Sequence, residues 1–157
     1  MARILVVYHS ETGNTERMAE LAAEGARGAG ADVDLKSVAD TAVDELLQYD
    51  GIIAGSPTYY GLMSAALKKL FDDSVKFHGR LKGKVGGAFT SSGVIGGGNE
   101  TTILSIVQAM LVHGMVVQGA PSGGHYGAVA IAKPDERAEQ SARALGERVA
   151  ELAAKLA

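Results

Sequence analysis

Short runs of apolar and small residues, each followed by a polar loop, constrain the fold of this chain most strongly. The clearest are RILVVY at residues 3–8, DGIIAGS at 50–56 and KVGGAFTS at 84–91. Each run has the length of a strand, and none shows the regular alternation typical of a sheet with one face in water. Such strands are buried on both faces, which predicts a parallel sheet between two layers of helices.

Helical and strand patterns alternate along the rest of the chain. They predict helices at 15–27, 41–48, 62–73, 101–114 and 134–156, further strands at 31–38 and 115–119, and an irregular segment at 120–127. Five strands that alternate with five helices are typical of a doubly wound α/β domain with three layers. We therefore expect a single domain over residues 1–157, which is long enough to form a substantial core.

Composition excludes several kinds of site. The chain has no cysteine, which excludes disulfides, thiolate metal sites and cysteine nucleophiles. Its four histidines show no metal-ligand spacing, so we expect no metal. The formal net charge of −3 gives no support for nucleic-acid binding. No apolar run approaches the roughly 20 residues that cross a bilayer, and no signal sequence is evident, so we expect a cytoplasmic protein without a membrane partner.

Three predicted loops carry the candidate site, because ligands of such sheets bind beyond the carboxyl ends of the strands. The first, HSETGNT, offers hydroxyls, an amide and the free N–H groups that open a helix, which together can bind an anion without a cation. The same residue types are common helix caps, so this loop alone leaves both interpretations open. The candidate ligands in it are Ser10, Glu11, Thr12, Gly13, Asn14 and Thr15.

The loops SPTYYGL and SSGVIGGGNE offer surfaces for a flat ligand. Two adjacent tyrosines in a chain with only 5% aromatic residues favour stacking on a ring, although they could also cover the core. The glycines would let backbone run along the edge of a planar ligand, or would simply make the loop flexible. The candidates in these loops are Pro57, Thr58, Tyr59, Tyr60, Gly61, Ser91, Ser92, Gly93, Val94, Ile95, Gly96 and Gly97.

A phosphate loop, an aromatic platform and a glycine edge together describe a site for flavin mononucleotide (FMN). SETGNT resembles the phosphate loop of flavodoxins. Segments similar to those of WrbA-type NAD(P)H:quinone oxidoreductases are SPTYYGLMSAALKKLFD, GKVGGAFTSSGVIGGGNETTILS, LVHGM and GGHYGA. The resemblance covers essentially the whole chain and implies a flavodoxin-like fold, with a five-stranded parallel sheet in the order 2-1-3-4-5. It also implies that residues 10–15 hold the phosphate, that 58–60 flank the isoalloxazine and that 91–97 line its other edge.

The resemblance also singles out one histidine. His113, in LVHGM, matches a histidine that lies by the flavin in the family, which implies that it donates a hydrogen bond or a proton to a quinone oxygen. Considered without the resemblance, a histidine at the end of a helix would interact with the helix dipole instead.

The chain departs from the WrbA-type pattern in three places. It lacks an insertion between the second and third strands and another after the fifth, and it has Tyr59-Tyr60 where the family usually has Arg-Phe. The insertions help to build the family's tetramer and to close its active site. We therefore expect a homo-oligomer, either a dimer or a tetramer, although this chain lacks two of the segments that contribute to the family's tetramer.

The resemblance implies an enzyme that transfers two electrons from NAD(P)H to a quinone through FMN by a ping-pong mechanism. The alternative is a flavodoxin-type carrier that moves single electrons between redox-partner proteins. The ring-side loops hold no carboxylate before Glu100, and the net charge is modest, which favours the enzyme because carriers often use acidic docking surfaces. A non-redox interaction module would be a third interpretation. The basic stretch KFHGRLKGK at 76–84 is a solvated turn or a contact for the NADPH phosphate.

Overall fold

A parallel sheet lies between two layers of helices in the computed structural model of the chain, which describes residues 1–157. The strands are β1 (Arg3–Tyr8), β2 (Asp32–Ser37), β3 (Gly51–Pro57), β4 (Val85–Ser92), β5 (Val116–Val117) and β6 (Ala128–Ile131). The helices are α1 (Asn14–Gly28), α2 (Ala65–Asp73), α3 (Asn99–Val112) and α4 (Glu136–Leu156). Short 3₁₀ helices lie at Val38–Asp40, Val43–Gln48 and Ser74–Phe77.

The predicted strand order is confirmed. The strands follow one another as β2-β1-β3-β4-β5, and every pairing in the sheet is parallel. All strands therefore end at the same edge, here called the carboxyl edge, and start at the opposite one, the amino edge.

Successive residues of each central strand pack into different layers, because side chains alternate across a sheet. Ile4, Val6 and Ile53 pack with α1 and α4, whereas their neighbours Leu5 and Ile52 pack with α2 and α3. This double burial explains the continuous apolar runs in the sequence. None of the helices combines the length and the apolar composition needed to cross a membrane.

The fifth strand differs from the prediction of one strand at 115–119. It consists of two pieces, β5 and β6, which pair with the start and the end of β4 respectively. Residues 118–127 leave the sheet between them, and the chain returns at Gly127, where a Cβ would overlap the carbonyl oxygen of Ala88. The sequence reading missed β6 because AVAI directly follows this glycine-rich segment.

The helix predicted at 41–48 is also wrong in kind. The segment contains the 3₁₀ helix Val43–Gln48. A second 3₁₀ helix, Val38–Asp40, precedes it and is capped by Ser37, whose hydroxyl accepts a hydrogen bond from the Asp40 N–H. So short a segment gains few α-helical hydrogen bonds after the costly first turn. The burial of Leu46 and Tyr49 then determines its path.

Two glycines allow α1 and α4 to touch backbone to backbone. A Cβ at Gly25 would overlap the carbonyl oxygen of Arg143, and a Cβ at Gly146 would overlap that of Ala22. Small side chains such as Ala22 and Ala142 fill the rest of this contact. The position of α1 is therefore set by α4 as well as by the sheet.

We expect Gly146→Ala to lower the free energy of unfolding by about 1–3 kcal/mol, because the added methyl group meets backbone that cannot rotate away. Gly28→Ala is the matched control, since a Cβ there has no atom within 4 Å. The control should be neutral or stabilising by about 0.4–1 kcal/mol. Urea unfolding monitored by circular dichroism measures both values, and equal stability of the two variants would contradict the proposed close contact.

Candidate functional site

The three loops predicted to form the site meet at the carboxyl edge. β1, β3 and β4 are neighbours in the sheet, with Tyr8 paired to Gly55 and Pro57 paired to Ser91. The loops that follow these strands therefore start side by side. Sequence reasoning placed them correctly because parallel strands bring their ends to one edge.

The first loop leaves the N-terminus of α1 open. Gly13 is its N-cap residue with φ 97° and offers no side chain to cap the helix, while its own N–H donates to the Ser10 hydroxyl at 3.2 Å. The N–H groups of Asn14, Thr15 and Glu16 have no acceptor within the chain. Free N–H groups at the positive end of a 15-residue helix can bind a phosphate.

The arginine that follows this loop does not contribute to the anion site. Arg17 lies against Glu20 at 3.0 Å and within 3.7 Å of both Glu24 and Glu139. The hydrogen bond with Glu20 raises the pKa of the Arg17 guanidinium. The positive potential at the loop therefore comes from the helix backbone.

Two of the predicted ligand hydroxyls bind each other instead of facing outwards. Thr15 and Ser91 are both buried, and their hydroxyl oxygens are 2.7 Å apart. This hydrogen bond joins the start of α1 to the end of β4. Their structural role is to hold the first and third loops together, and only the outer hydroxyls, such as that of Thr12, lie open to a ligand.

A second set of hydroxyls supports the middle loop, and of its members the sequence analysis selected Thr58 but not Ser56 or Thr90. Thr90 donates to the Ser56 carbonyl at 2.7 Å, and its oxygen lies 2.8 Å from that of Thr58. The Ser56 hydroxyl accepts the Ser64 N–H at 2.8 Å. The residue types were visible in the sequence, but nothing in it indicates which hydroxyls point into the protein.

The tyrosines of the middle loop occupy a tight hairpin. Tyr59 and Leu62 exchange two backbone hydrogen bonds of 3.1 Å, and the residues between them have φ values of 49° for Tyr60 and 77° for Gly61. Positive φ at both central positions is typical of a type I′ turn, which strains a residue other than glycine. Tyr60 is fully exposed and Tyr59 is 43% exposed, so their rings are open to a ligand.

The third loop lies directly against this hairpin. Gly98 has φ 108°, and a Cβ there would come within 2.6 Å of the Gly61 Cα. Ser92 holds the loop in shape, because its hydroxyl donates to the Val94 carbonyl at 2.9 Å and accepts from the Asn99 amide at 2.7 Å. This geometry leaves apolar side chains at the tip exposed, with Ile95 87% exposed.

His9, which the sequence analysis did not select, lies among the candidate loops. Its Nε2 lies 2.7 Å from a carboxylate oxygen of Glu11, and its ring meets that of Tyr59 edge to face, with centroids 6.2 Å apart. It thus bridges the first and middle loops. The available signal was its position directly after β1.

The structure does not bring His113 to the other predicted residues. His113 follows α3, which runs from the carboxyl edge back towards the amino edge, where Val116 pairs with Val85 at the start of β4. There the His113 Nε2 lies 2.7 Å from the Ser74 hydroxyl, and its ring stacks on Phe77. The 14-residue helix α3 thus separates His113 from the loops of its own chain, and its predicted place beside the flavin stays a prediction.

Comparisons with known proteins identify the family that the chain resembles. Residues 6–108 match the family described as flavodoxin. A protein of Archaeoglobus fulgidus named NAD(P)H dehydrogenase (quinone) is 40% identical over 190 residues, which cover 99% of this chain and 100% of that protein. A flavodoxin of Aquifex aeolicus is 42% identical over 160 residues, covering 96% of this chain and 86% of that protein.

A solved structure described as a flavodoxin, WrbA-like protein from Agrobacterium tumefaciens superposes with a TM-score of 0.83 at 32% identity, and the whole of each chain is covered. The alignment lengths differ between the relatives. The alignment with the A. fulgidus protein spans 190 positions although this chain has only 157 residues, so that protein contains segments without a counterpart here.

We expect His113→Gln to flatten the acid side of the pH–stability profile. Burial, and then the nearby His78, lower the pKa of His113 below its ordinary value of 6.5, so the unfolded chain takes up the proton first. The free energy of unfolding of the wild type therefore falls as pH drops below 6.5, until the folded pKa is passed. Urea unfolding between pH 8 and 5 measures this loss. The difference in stability between wild type and His113→Gln above pH 7.5 serves as the control. Profiles of the two proteins that stay parallel from pH 8 to 5 would contradict the prediction.

Proposed function

The chain belongs to the flavodoxin family, and we propose that it is an FMN-dependent NAD(P)H:quinone oxidoreductase. Whole-length similarity to proteins named NAD(P)H dehydrogenase (quinone), at 40% and 39% identity, carries the proposal. The open start of α1 and the exposed tyrosine hairpin support FMN as the cofactor.

The residues of the carboxyl edge fit FMN. The phosphate would bind the free N–H groups of Asn14, Thr15 and Glu16 together with the hydroxyls of Ser10 and Thr12. Glycine at position 13 leaves open space on the side where a Cβ would point. The anion thus needs no lysine or arginine, which agrees with the engagement of Arg17 by glutamates.

The ring of FMN would lie between the tyrosine hairpin and the third loop. Tyr59 and Tyr60 offer aromatic faces, and Gly93 and Gly96 have no atom within 4 Å of a Cβ position. Thr15 and Ser91 act indirectly, since their mutual hydrogen bond holds the phosphate loop against the ring loop. We assign His113 no part in the site of its own chain.

When bound, FMN supplies a centre that takes two electrons from NAD(P)H and gives them to a quinone in a second half-reaction, a ping-pong cycle. The chain's own residues keep the ring accessible to two substrates in turn. Val94 and Ile95, 63% and 87% exposed, would offer an apolar surface to a quinone. Glu11, the one carboxylate of the first loop, is held by His9.

A one-electron carrier is the second candidate. It is favoured by the alignment with the A. aeolicus flavodoxin, which spans 160 positions and thus lacks the long gaps of the alignment with the quinone dehydrogenase. Such a carrier would use the same FMN site and would dock a redox-partner protein at the exposed loops.

Steady-state oxidation of NADH and NADPH with benzoquinone by the FMN-loaded protein tests the enzyme. We expect turnover, with parallel lines in double-reciprocal plots at several quinone concentrations; protein stripped of FMN is the control. Intersecting lines would reject the ping-pong order. An absence of turnover, together with stepwise one-electron reduction in an anaerobic titration, would reject the enzyme in favour of the carrier.

We expect Gly98→Ala to weaken FMN binding by about tenfold or more, because the new Cβ presses on Gly61 and displaces the tyrosine hairpin at a cost of about 1–3 kcal/mol. Gly79→Ala is the matched control: Gly79 has a similar positive φ of 87°, but a Cβ there meets nothing within 4 Å. Quenching of FMN fluorescence on titration gives both affinities. An unchanged affinity in Gly98→Ala would show that the contact between the loops does not shape the site.

A further inference from the structure

A cavity of about 780 Å³ lies beside the candidate FMN site, outside β6. It starts at Ile95 and Gly96 of the third loop and runs between residues 120–124 and one side of α4. Its volume is within the roughly 300–1,000 Å³ typical of small-molecule sites. None of the first-loop or tyrosine-hairpin residues lines it, so it is a separate compartment that shares one wall with the ring loop.

One of the residues that line the cavity is an arginine without a partner. Arg148 makes no ion pair or hydrogen bond in the chain, and its Nε atom is buried. Burial is the only influence on the pKa of its guanidinium, which it lowers, so no carboxylate compensates the charge. A partly buried cation without a counter-charge is costly for the free protein and favours an anionic ligand.

Further polar groups on α4 face the same space. Arg137, Ser141 and Arg148 follow one another at intervals of four and seven residues, which places them on one face of the helix, and all three line the cavity. Two carboxylates also line it: Asp135 caps α4 by accepting the Ala138 N–H at 2.9 Å, and Glu100 lies at the start of α3. Neither carboxylate forms an ion pair with Arg148.

We propose that this cavity binds the phosphate-bearing adenosine half of the nicotinamide dinucleotide, with the Arg148 guanidinium donating to the phosphate. The proposal rests on the proposed function, because it places the electron donor next to the ring loop. Guanidinium groups bind phosphate oxygens in a bidentate manner, and this one is free to do so.

The other cations of the chain are less suitable. Arg17 forms ion pairs with three glutamates. The basic stretch at 76–84 lies at the amino edge, where the Gly83 N–H donates to the Gly114 carbonyl. The cavity that contains Arg148 is the one that adjoins Ile95 and Gly96. A dinucleotide with an additional 2′-phosphate would gain most from it, which predicts a preference for NADPH over NADH.

The test compares the wild type with Arg148→Gln, and Arg27→Gln is the matched control because Arg27 is exposed, makes no ion pair and does not line the cavity. Calorimetric titration with 2′,5′-ADP measures binding without any redox reaction. We expect the wild type and Arg27→Gln to bind it equally and Arg148→Gln to bind about tenfold more weakly or worse. In steady-state kinetics, Arg148→Gln should also raise the KM for NADPH by about tenfold or more and leave the KM for NADH nearly unchanged.

Each outcome decides the matter. Equal binding of 2′,5′-ADP by wild type and Arg148→Gln would overturn the proposal, as would binding of inorganic phosphate without 2′,5′-ADP, which would indicate a free-anion site. Binding of 2′,5′-ADP that depends on Arg148, in a protein with no quinone turnover, would support the cavity and reject the proposed enzyme. Quinone turnover with NADPH that is insensitive to Arg148→Gln would support the proposed enzyme and reject the cavity as the binding site of the dinucleotide. Urea unfolding of Arg148→Gln verifies that the variant is folded.

Discussion

The parallel pairing of β1, β3 and β4 is the constraint on which the rest of the structure depends. Buried backbone N–H and C=O groups must be paired, and the parallel register satisfies them while it aligns the ends of three strands that are far apart in sequence. The hydroxyl pairs Thr15–Ser91 and Thr58–Thr90 then join these ends. The loops that follow these strand ends therefore start from fixed positions, although their sequences are typical of flexible segments.

Local patterning predicted the elements that are long and strongly periodic. The runs at 3–8, 50–56 and 84–91 became strands because their side chains must be buried on both sides, and the order of the sheet followed from the resemblance to flavodoxins. The prediction failed where tertiary contacts decide. Val43–Gln48 is too short to form an α-helix of its own, and β6 exists because Gly127 lets the chain return close to β4.

The meeting of the three candidate loops was predictable from the sequence, but the direction of their side chains was predictable only in part. Residue types reveal which atoms a loop can offer, but the direction of each side chain depends on packing. Thr15 and Ser91 thus turn inwards although their sequence context resembles that of ligands. The LVHGM motif likewise does not reveal a position, since His113 lies at the edge of the sheet opposite the three loops of its own chain. Arg148 carries no motif at all, and only the structure reveals that it lacks a counter-charge.

The glycine contact between α1 and α4 has a mechanical consequence. α1 carries the free N–H groups at its start, and α4 carries Arg148 two residues after Gly146. Because the two helices touch through backbone at Gly25 and Gly146, no side chain can rearrange to let them slide. In the proposed site, the separation between the phosphate of FMN and the phosphate of the electron donor would therefore be a fixed length. The proposed enzyme would then select its donor by the span from phosphate to reactive ring as well as by charge.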